Sequence, residues 1–274
     1  MSKPEMKSSS QGSLKTLLKG LRALEEVCRR KNGLKQSELA VVLKADRSTA
    51  LRILNTMIEA GYLYKDADGR YHPTMRIPWL SHLILEGMEI RGYARKHLEK
   101  VTNETGFSSH LAILSEGQVV YVDGEEGRGM IKVNAGIGNV APVHCSATGK
   151  ALAAYLEESS LKTVLRSLSG ESFPQRYTAN TIKDFPELLE ELSLTRQRGY
   201  AVDNEEYEVG IKCVAVPIFD YTRAAVATIG LSGTVSKIEE IGIELLAEKL
   251  QAAAAAVSSN LGYANSEKRG EENA

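Results

Sequence analysis

Residues 46–72 read DRSTALRILNTMIEAGYLYKDADGRYH, and the fold turns on whether this stretch holds a plain core helix or one that reads something. At 100° per residue, Ala50, Leu54, Met57 and Ile58 gather on one side, flanked by Leu51 and Ile53. Ser48, Arg52, Asn55 and Glu59 fall together on the opposite side. A merely solvated face usually mixes Glu and Lys; this helix opens instead on Arg47-Ser48-Thr49, behind Asp46 as N-cap. The first turn is where a DNA-reading helix meets base edges and phosphates.

Upstream, Ser13 is placed to cap a helix whose apolar face is Leu14, Leu17, Leu18, Leu21, Leu24 and Cys28, with Asn32-Gly33 as its stop. A short helix over 36–43 turns Leu39, Val42 and Leu43 inward. Its capping box is weak, because Lys35 stands where Ser or Thr is expected three residues before Glu38. Only Lys44-Ala45-Asp46 separates this helix from the next, which makes a helix-turn-helix. Downstream, Asp66-Ala67-Asp68-Gly69 sits between two aromatic stretches, Tyr62–Lys65 and Arg70–His72, and signals a hairpin. Residues 13–77 therefore read as a winged helix-turn-helix, with Lys65 and Arg70 at the wing stem in reach of phosphates.

The chain has 274 residues, 43% apolar and 25% charged, with a net charge of −1. Residues 1–77 carry 15 Lys and Arg against 8 Asp and Glu, so the rest of the chain is acidic. Such a split suggests two domains with different partners, the basic one suited to a polyanion. No apolar run approaches the roughly 18 residues of a membrane span. The start, MSKPEMKSSSQGS, lacks the apolar core of a secretory signal. Cys28, Cys145 and Cys213 form no CxxC, so neither a disulfide framework nor a zinc finger is signalled. A soluble, cytoplasmic protein is the expectation.

Beyond Pro78, the stretch Ile77–Leu85 carries the only tryptophan and too much apolar surface to lie in water. Residues 78–88 are therefore expected to be a linker helix that packs in a dimer. A helix over 89–105 follows. Strands are then expected at 110–114, 119–123 and 130–134, helices at 146–156, 160–168 and 184–198, and strands at 200–203, 212–219 and 225–232. One long alanine-rich helix, 237–261, closes the chain. Residues 89–263 thus form an α+β domain on one antiparallel sheet with flanking helices. The tails, 1–12 and 264–274, are polar and expected to be disordered.

Two stretches carry a resemblance. One runs Gly199-Tyr-Ala-Val-Asp203-Asn-Glu-Glu206, then six residues on, Cys213-Val-Ala-Val-Pro-Ile-Phe-Asp220; the other is Val140-Ala-Pro142-Val-His144-Cys-Ser146-Ala147-Thr-Gly149-Lys150. Together they resemble the signatures of the IclR family of bacterial transcriptional regulators, over about residues 14–262. The resemblance implies a one-component regulator. It would have an N-terminal winged helix on operator DNA and a GAF-like C-terminal domain binding a small organic or aromatic acid. It would also dimerise, and pair into tetramers on DNA. In two places the sequence departs from the family: Lys44 stands where Gly is common in the turn, and Asp46 where a proline often precedes the recognition helix.

For double-stranded operator DNA the expected contacts are Arg47, Ser48, Thr49, Arg52 and Asn55, with Lys65 and Arg70 adding salt-dependent affinity. Ser48 and Thr49 suit phosphate or thymine. For the effector, the resemblance carries over Asp203, Cys213, Ser232, Gly230, Ala147 and Gly149, with Met130 or Ile131 as an apolar wall. Gly230 falls where relatives place a second hydroxyl, which implies a less polar pocket. Backbone N–H groups at 146–149 would seat a carboxylate, and Asp203 would hold a hydroxyl or order water.

Neither a cofactor nor a metal is expected. His110, His144, Cys145 and Cys213 have ligand chemistry without ligand spacing. Gly136-Ile137-Gly138 lacks the third glycine of a dinucleotide loop. A thiol enzyme built on His144-Cys145 is disfavoured because neighbours in sequence point apart. A winged helix that binds only protein fits the architecture but leaves the basic balance and the Arg47–Arg52 pattern without a purpose.

Overall fold

The computed structural model describes residues 14–128, 136–169 and 173–263. The strand expected at 130–134 lies outside them, as do Met130, Ile131, Ser13 and both tails. The chain divides into two compact units, Met1–Gly87 and Met88–Ala274, each with its own apolar core.

The first unit runs α1 (Lys15–Cys28), β1 (Leu34–Lys35), α2 (Gln36–Val42), α3 (Arg47–Glu59), β2 (Leu63–Lys65), β3 (Arg70–Pro73) and α4 (Arg76–Glu86). Its core joins Ala23 and Val27 of α1, Leu39 and Leu43, Ile53 and Leu54 of α3, and Leu63 and Tyr71 of the wing. The wing is three-stranded, β1-β3-β2, because Leu34 pairs with Tyr71 and Lys35 with Arg70. A two-residue strand carries no periodicity, so β1 could not be read from the sequence.

Both turns of the helix-turn-helix close by the same hydrogen bonding. After α2, Ala45 N–H donates to Ala40 C=O at 3.0 Å and Lys44 N–H to Val41 C=O at 3.1 Å. After α3, Tyr62 N–H donates to Met57 C=O and Gly61 N–H to Ile58 C=O, both at 2.9 Å. This pattern needs a left-handed residue just past the helix. Gly61 takes it freely at φ +79°, whereas Lys44 takes it at φ +48° with a Cβ to accommodate. The box around α2 is half formed: Glu38 Oε2 accepts from the Lys35 backbone N–H at 2.7 Å.

Two expected faces are corrected. On α1, Leu14, Leu17 and Leu21 are more than half exposed, and the helix packs instead through Ala23 and Val27. Leu24 of the expected face does pack against this core, and Leu14, Leu17 and Leu21 are left outside. On α3, Leu51 and Ile58 are exposed and the packing falls to Ala50, Ile53 and Leu54, with Met57 partly buried. No residue of α4 is buried; Trp79, Leu83 and Ile84 face out.

The second unit runs α5 (Glu89–Thr105), β4 (Ser108–Ser115), β5 (Gln118–Glu125), β6 (Val140–Ala141), α6 (Ala147–Ala153), α7 (Glu158–Ser169), α8 (Phe185–Arg198), β7 (Ala201–Asn204), β8 (Ile211–Phe219), β9 (Ala225–Thr234), α9 (Val235–Ile241) and α10 (Ile243–Asn260). Its six strands form one antiparallel sheet, β6-β5-β4-β9-β8-β7. The short β6 was not expected. The expected helix over 237–261 is in fact two, because Gly242 at φ +94° breaks it into α9 and α10. The expected helix at 146–156 shortens to α6, capped by Ser146 Oγ, which accepts from Gly149 N–H at 3.1 Å. Asp184 and Gly199 bound α8 as N-cap and left-handed C-cap.

Alternation along the strands sets the two faces of the sheet. Ala201, Ala215 and Cys213 meet Ala147 and Ala151 of α6 on one face. Ser109, of opposite parity on β4, takes a hydrogen bond from Thr102 of α5 and donates to Leu98 C=O of the same helix. The alanines on the first face let α6 sit close to the strands that carry the signature residues.

Candidate DNA-contacting and effector sites

In the first unit, Asp46 caps α3 with unusual completeness. Its Oδ1 accepts from Thr49 N–H at 2.8 Å and Ser48 Oγ at 2.5 Å, and its Oδ2 from Thr49 Oγ1 at 2.7 Å. These bonds, the Ser48 hydroxyl's first, hold the carboxyl well below the usual range. Both hydroxyl protons are therefore already given to a carboxylate. Ser48 and Thr49 offer lone pairs outward, which suits a donor on a base edge better than a phosphate.

Arg47, Arg52 and Asn55 are exposed and make no side-chain hydrogen bond or ion pair within the described residues. Gln36 Nε2 donates to Arg47 C=O at 2.8 Å and ties α2 to the start of α3, fixing the angle between them. The wing divides its two basic residues. Lys65 is exposed, with its ammonium 5.5 Å from the Tyr71 ring centre. Arg70 is half-buried and turns inward, 3.5 Å from Gly33 C=O and 3.8 Å from Glu38. Asp66 shapes the tip by accepting from Arg70 N–H and meeting His72 Nε2, both at 2.8 Å.

In the second unit, Ala147, Asp203, Cys213, Gly230 and Ser232 line one narrow cavity of about 40 Å³ between α6 and the sheet. Asp203 pairs with Cys213 across β7–β8, and Cys213 with Ser232 across β8–β9, so strand register alone brings three distant residues into a row. Ser232 Oγ donates to Cys213 Sγ at 3.1 Å. Asp203 Oδ1 accepts from Glu206 N–H at 2.8 Å, yet burial pushes its carboxyl up to about 7. Burial likewise pushes the thiols of Cys213 and Cys145 up, so neither is a standing thiolate.

Gly149 does not line the cavity. Its N–H is taken by Ser146, and a Cβ there would lie 2.5 Å from Val143 O, so it serves the close approach of that loop. Gly230 does line it, and its expected consequence is altered. A Cβ on Gly230 would meet Val214 O at 3.0 Å and Thr148 Cγ2 at 3.4 Å. Thr148 thus turns its methyl group towards the place a side chain at 230 would have held. His110, Tyr121, Ser146 and Thr148 also line the cavity and set polar groups among the apolar walls of Val140, Ile211, Val214 and Leu231. His110, which is not among the residues expected at the effector site, enters the cavity lining through its pairing with Gly230 across β4–β9.

Beside the cavity, Lys150 is fully buried, with Nζ on Glu206 and 3.4 Å from Glu191 of α8. Thr181 Oγ1 donates to Glu206 C=O at 2.6 Å and Thr178 Oγ1 to Glu205 C=O at 2.7 Å. The 203–208 turn is thus clasped from two sides. Among the described residues no group of three or more His, Cys, Asp or Glu is arranged to hold a metal, and no helix is long and apolar enough to cross a membrane.

Comparisons with known proteins agree on one relationship. The family description "Bacterial transcriptional regulator IclR C-terminal" fits residues 82–259, and "IclR helix-turn-helix domain" fits residues 16–67. The HTH-type transcriptional regulator XynR of Escherichia coli is 32% identical over 84% of this chain and 90% of its own length. The HTH-type transcriptional regulator KdgR of Dickeya chrysanthemi is 30% identical over 83% of this chain and 73% of its own. The crystal structure of the Thermotoga maritima IclR superposes with a TM-score of 0.74 at 33% identity, covering 90% of this chain and 99% of that one.

Proposed function

The chain belongs to the IclR family of bacterial transcriptional regulators, and from that premise we propose that α3 reads an operator while a small carboxylic acid occupies the α6 cavity. The observation that carries the DNA half is the state of Arg47, Arg52 and Asn55. They stand exposed and uncommitted on a helix whose cap and neighbours are all fixed. Arg bidentate to guanine and Asn to adenine would each give roughly 1–3 kcal/mol of discrimination. Lys65 supplies a phosphate contact, and Arg70 supports the wing.

The effector half rests on Asp203, Cys213 and Ser232 sharing one cavity with Ala147. That cavity is tight, so a ligand larger than a few waters must open the 203–208 turn. A ligand shifts operator affinity only by its different affinity for the two arrangements of the protein. The exposed leucines of α1 and the outward Trp79, Leu83 and Ile84 of α4 supply apolar surface for self-association into a dimer.

Selection of bound duplexes from a random-sequence pool by the full chain, followed by anisotropy titrations, tests the DNA half. A palindromic consensus should emerge, and R52A should lose discrimination at one position in each half-site. Binding without sequence preference would overturn operator recognition and favour the protein-interaction reading.

A further inference from the structure

His110 lies in β4 directly opposite Gly230 of β9 on one side and Gly124 of β5 on the other. Two glycines flank it, so its imidazole occupies a slot no neighbouring side chain fills. The ring sits at the cavity, 5.5 Å from the Tyr121 ring in an edge-on arrangement, and is 5% exposed. Its Nε2 is buried and has no hydrogen-bond partner among the described residues. Leaving such an atom unpaired forfeits its hydration with nothing in return, and a ligand group that pairs with it recovers that loss.

Burial holds this imidazole neutral, pushing it down to about 4. A neutral imidazole has one donor and one acceptor, the same pair a hydroxyl presents. The rest of the lining agrees with that chemistry. It includes neither Lys nor Arg but two carboxyls, Asp203 and Glu208, and the hydroxyls of Ser146, Thr148, Tyr121, Tyr207 and Ser232, of which Ser146 already donates to Pro142 C=O and Ser232 to Cys213 Sγ. The nearest ammonium, Lys150, is bound to Glu206 and Glu191.

We propose that His110 reads a hydroxyl group on the effector, so that the effector is a hydroxy acid rather than its deoxy counterpart. This rests on the reading of the cavity as a carboxylic-acid site. The discrimination is at a position separate from the Asp203–Cys213–Ser232 row. A hydroxyl would pair with Nε2, donating to it or accepting from its N–H according to the tautomer, and the deoxy analogue would leave Nε2 unpaired as it now stands.

Calorimetry on the full chain tests this with matched pairs: lactate against propionate, 3-hydroxybutyrate against butyrate, a six-carbon aldonate against hexanoate, with benzoate as an aromatic acid that carries no hydroxyl. The hydroxy member of at least one pair should bind roughly 10- to 100-fold more tightly than its partner. The H110F variant, of similar volume without the nitrogens, should close that gap mainly by weakening the hydroxy acid. Acids that bind with no preference for the hydroxyl, or a preference that H110F leaves intact, would overturn the role of His110. If no acid of either kind binds, the carboxylic-acid reading itself falls. Should H110F fail to melt cooperatively, the pairs measured on the unaltered chain still decide the hydroxyl preference, and H110Q, which keeps a donor and an acceptor, should retain part of it.

Discussion

Lys150 Nζ donates to Glu206 Oε1 at 2.5 Å, with the lysine side chain 1% exposed and the glutamate 8%. The pair links α6 to the turn that carries the signature Asp203. Two buried charges gain little net stability from each other, but removing one strands the other. Burial pushes Glu206 up against the opposing pull of Lys150, which shows how much it relies on that partner.

K150M should therefore destabilise the second unit by about 3–5 kcal/mol, the usual effect of leaving an uncompensated buried charge. The double variant K150M/E206M should recover most of that loss. Urea unfolding followed by far-UV circular dichroism would decide it; equal losses in single and double variants would mean that the lysine matters through packing alone.

Asp203 gives a pH signature of known sign. Its carboxyl is raised to about 7 in the folded chain from an unfolded value near 4, so folding favours the protonated form. That contribution is fully present below about pH 4 and is lost as pH rises through about 7. D203N, which cannot ionise, should melt close to the unaltered chain at pH 4.5 and progressively above it towards pH 8. Parallel melting curves across that range would place the ionised carboxylate in a better-solvated setting than its burial indicates.

On the DNA side, α3 was legible because its caps and period are local. Asp46, the Arg47-Ser48-Thr49 opening and Gly61 all lie within one element and obey helix rules. The Asp-Gly wing was legible for the same reason. What could not be read depended on distant partners. The exposure of Leu51 and the leucines of α1 follows from which helix approaches them, and the inward turn of Arg70 from Glu38 and Gly33. The cavity was half legible: the signature gave Asp203, Cys213 and Ser232. His110 and Thr148 enter through strand register and the seating of α6.

Lys44 sits left-handed at φ +48° where its N–H must complete the turn after α2. K44G should remove a backbone cost of about 1–2 kcal/mol, offset in part by the greater freedom of glycine in the unfolded chain. A net gain of up to about 1 kcal/mol in the first unit is expected, visible as higher hydrogen-exchange protection in α2 and α3. K44A should give no such gain, since alanine keeps the Cβ.

Lys65 and Arg70 are close in the wing but should behave differently on DNA. Lys65 is exposed and held only by the Tyr71 ring, so K65A should lower the salt slope of operator binding by about one ion. R70A should leave the slope nearly unchanged while loosening the wing, because that guanidinium faces Gly33 and Glu38. Anisotropy titrations between 50 and 200 mM salt, roughly the range over which such slopes are read, separate the two. Equal slope changes would return Arg70 to the phosphate contacts.

Gly230 tests how the cavity is built. A Cβ there would crowd Val214 O and Ala215 Cβ, at 3.0 and 3.1 Å, as well as Thr148 Cγ2 at 3.4 Å. The first two belong to the neighbouring strand and cannot move without disturbing the β8–β9 ladder, so G230A should cost about 1–3 kcal/mol by overpacking. Trimming the third neighbour, as in G230A/T148S, should recover only a minor part of the loss. The same holds for G230S, which would add a hydroxyl at this position. If G230S were instead neutral in thermal melts, the β8–β9 ladder would have to yield at Val214 and Ala215 at little cost.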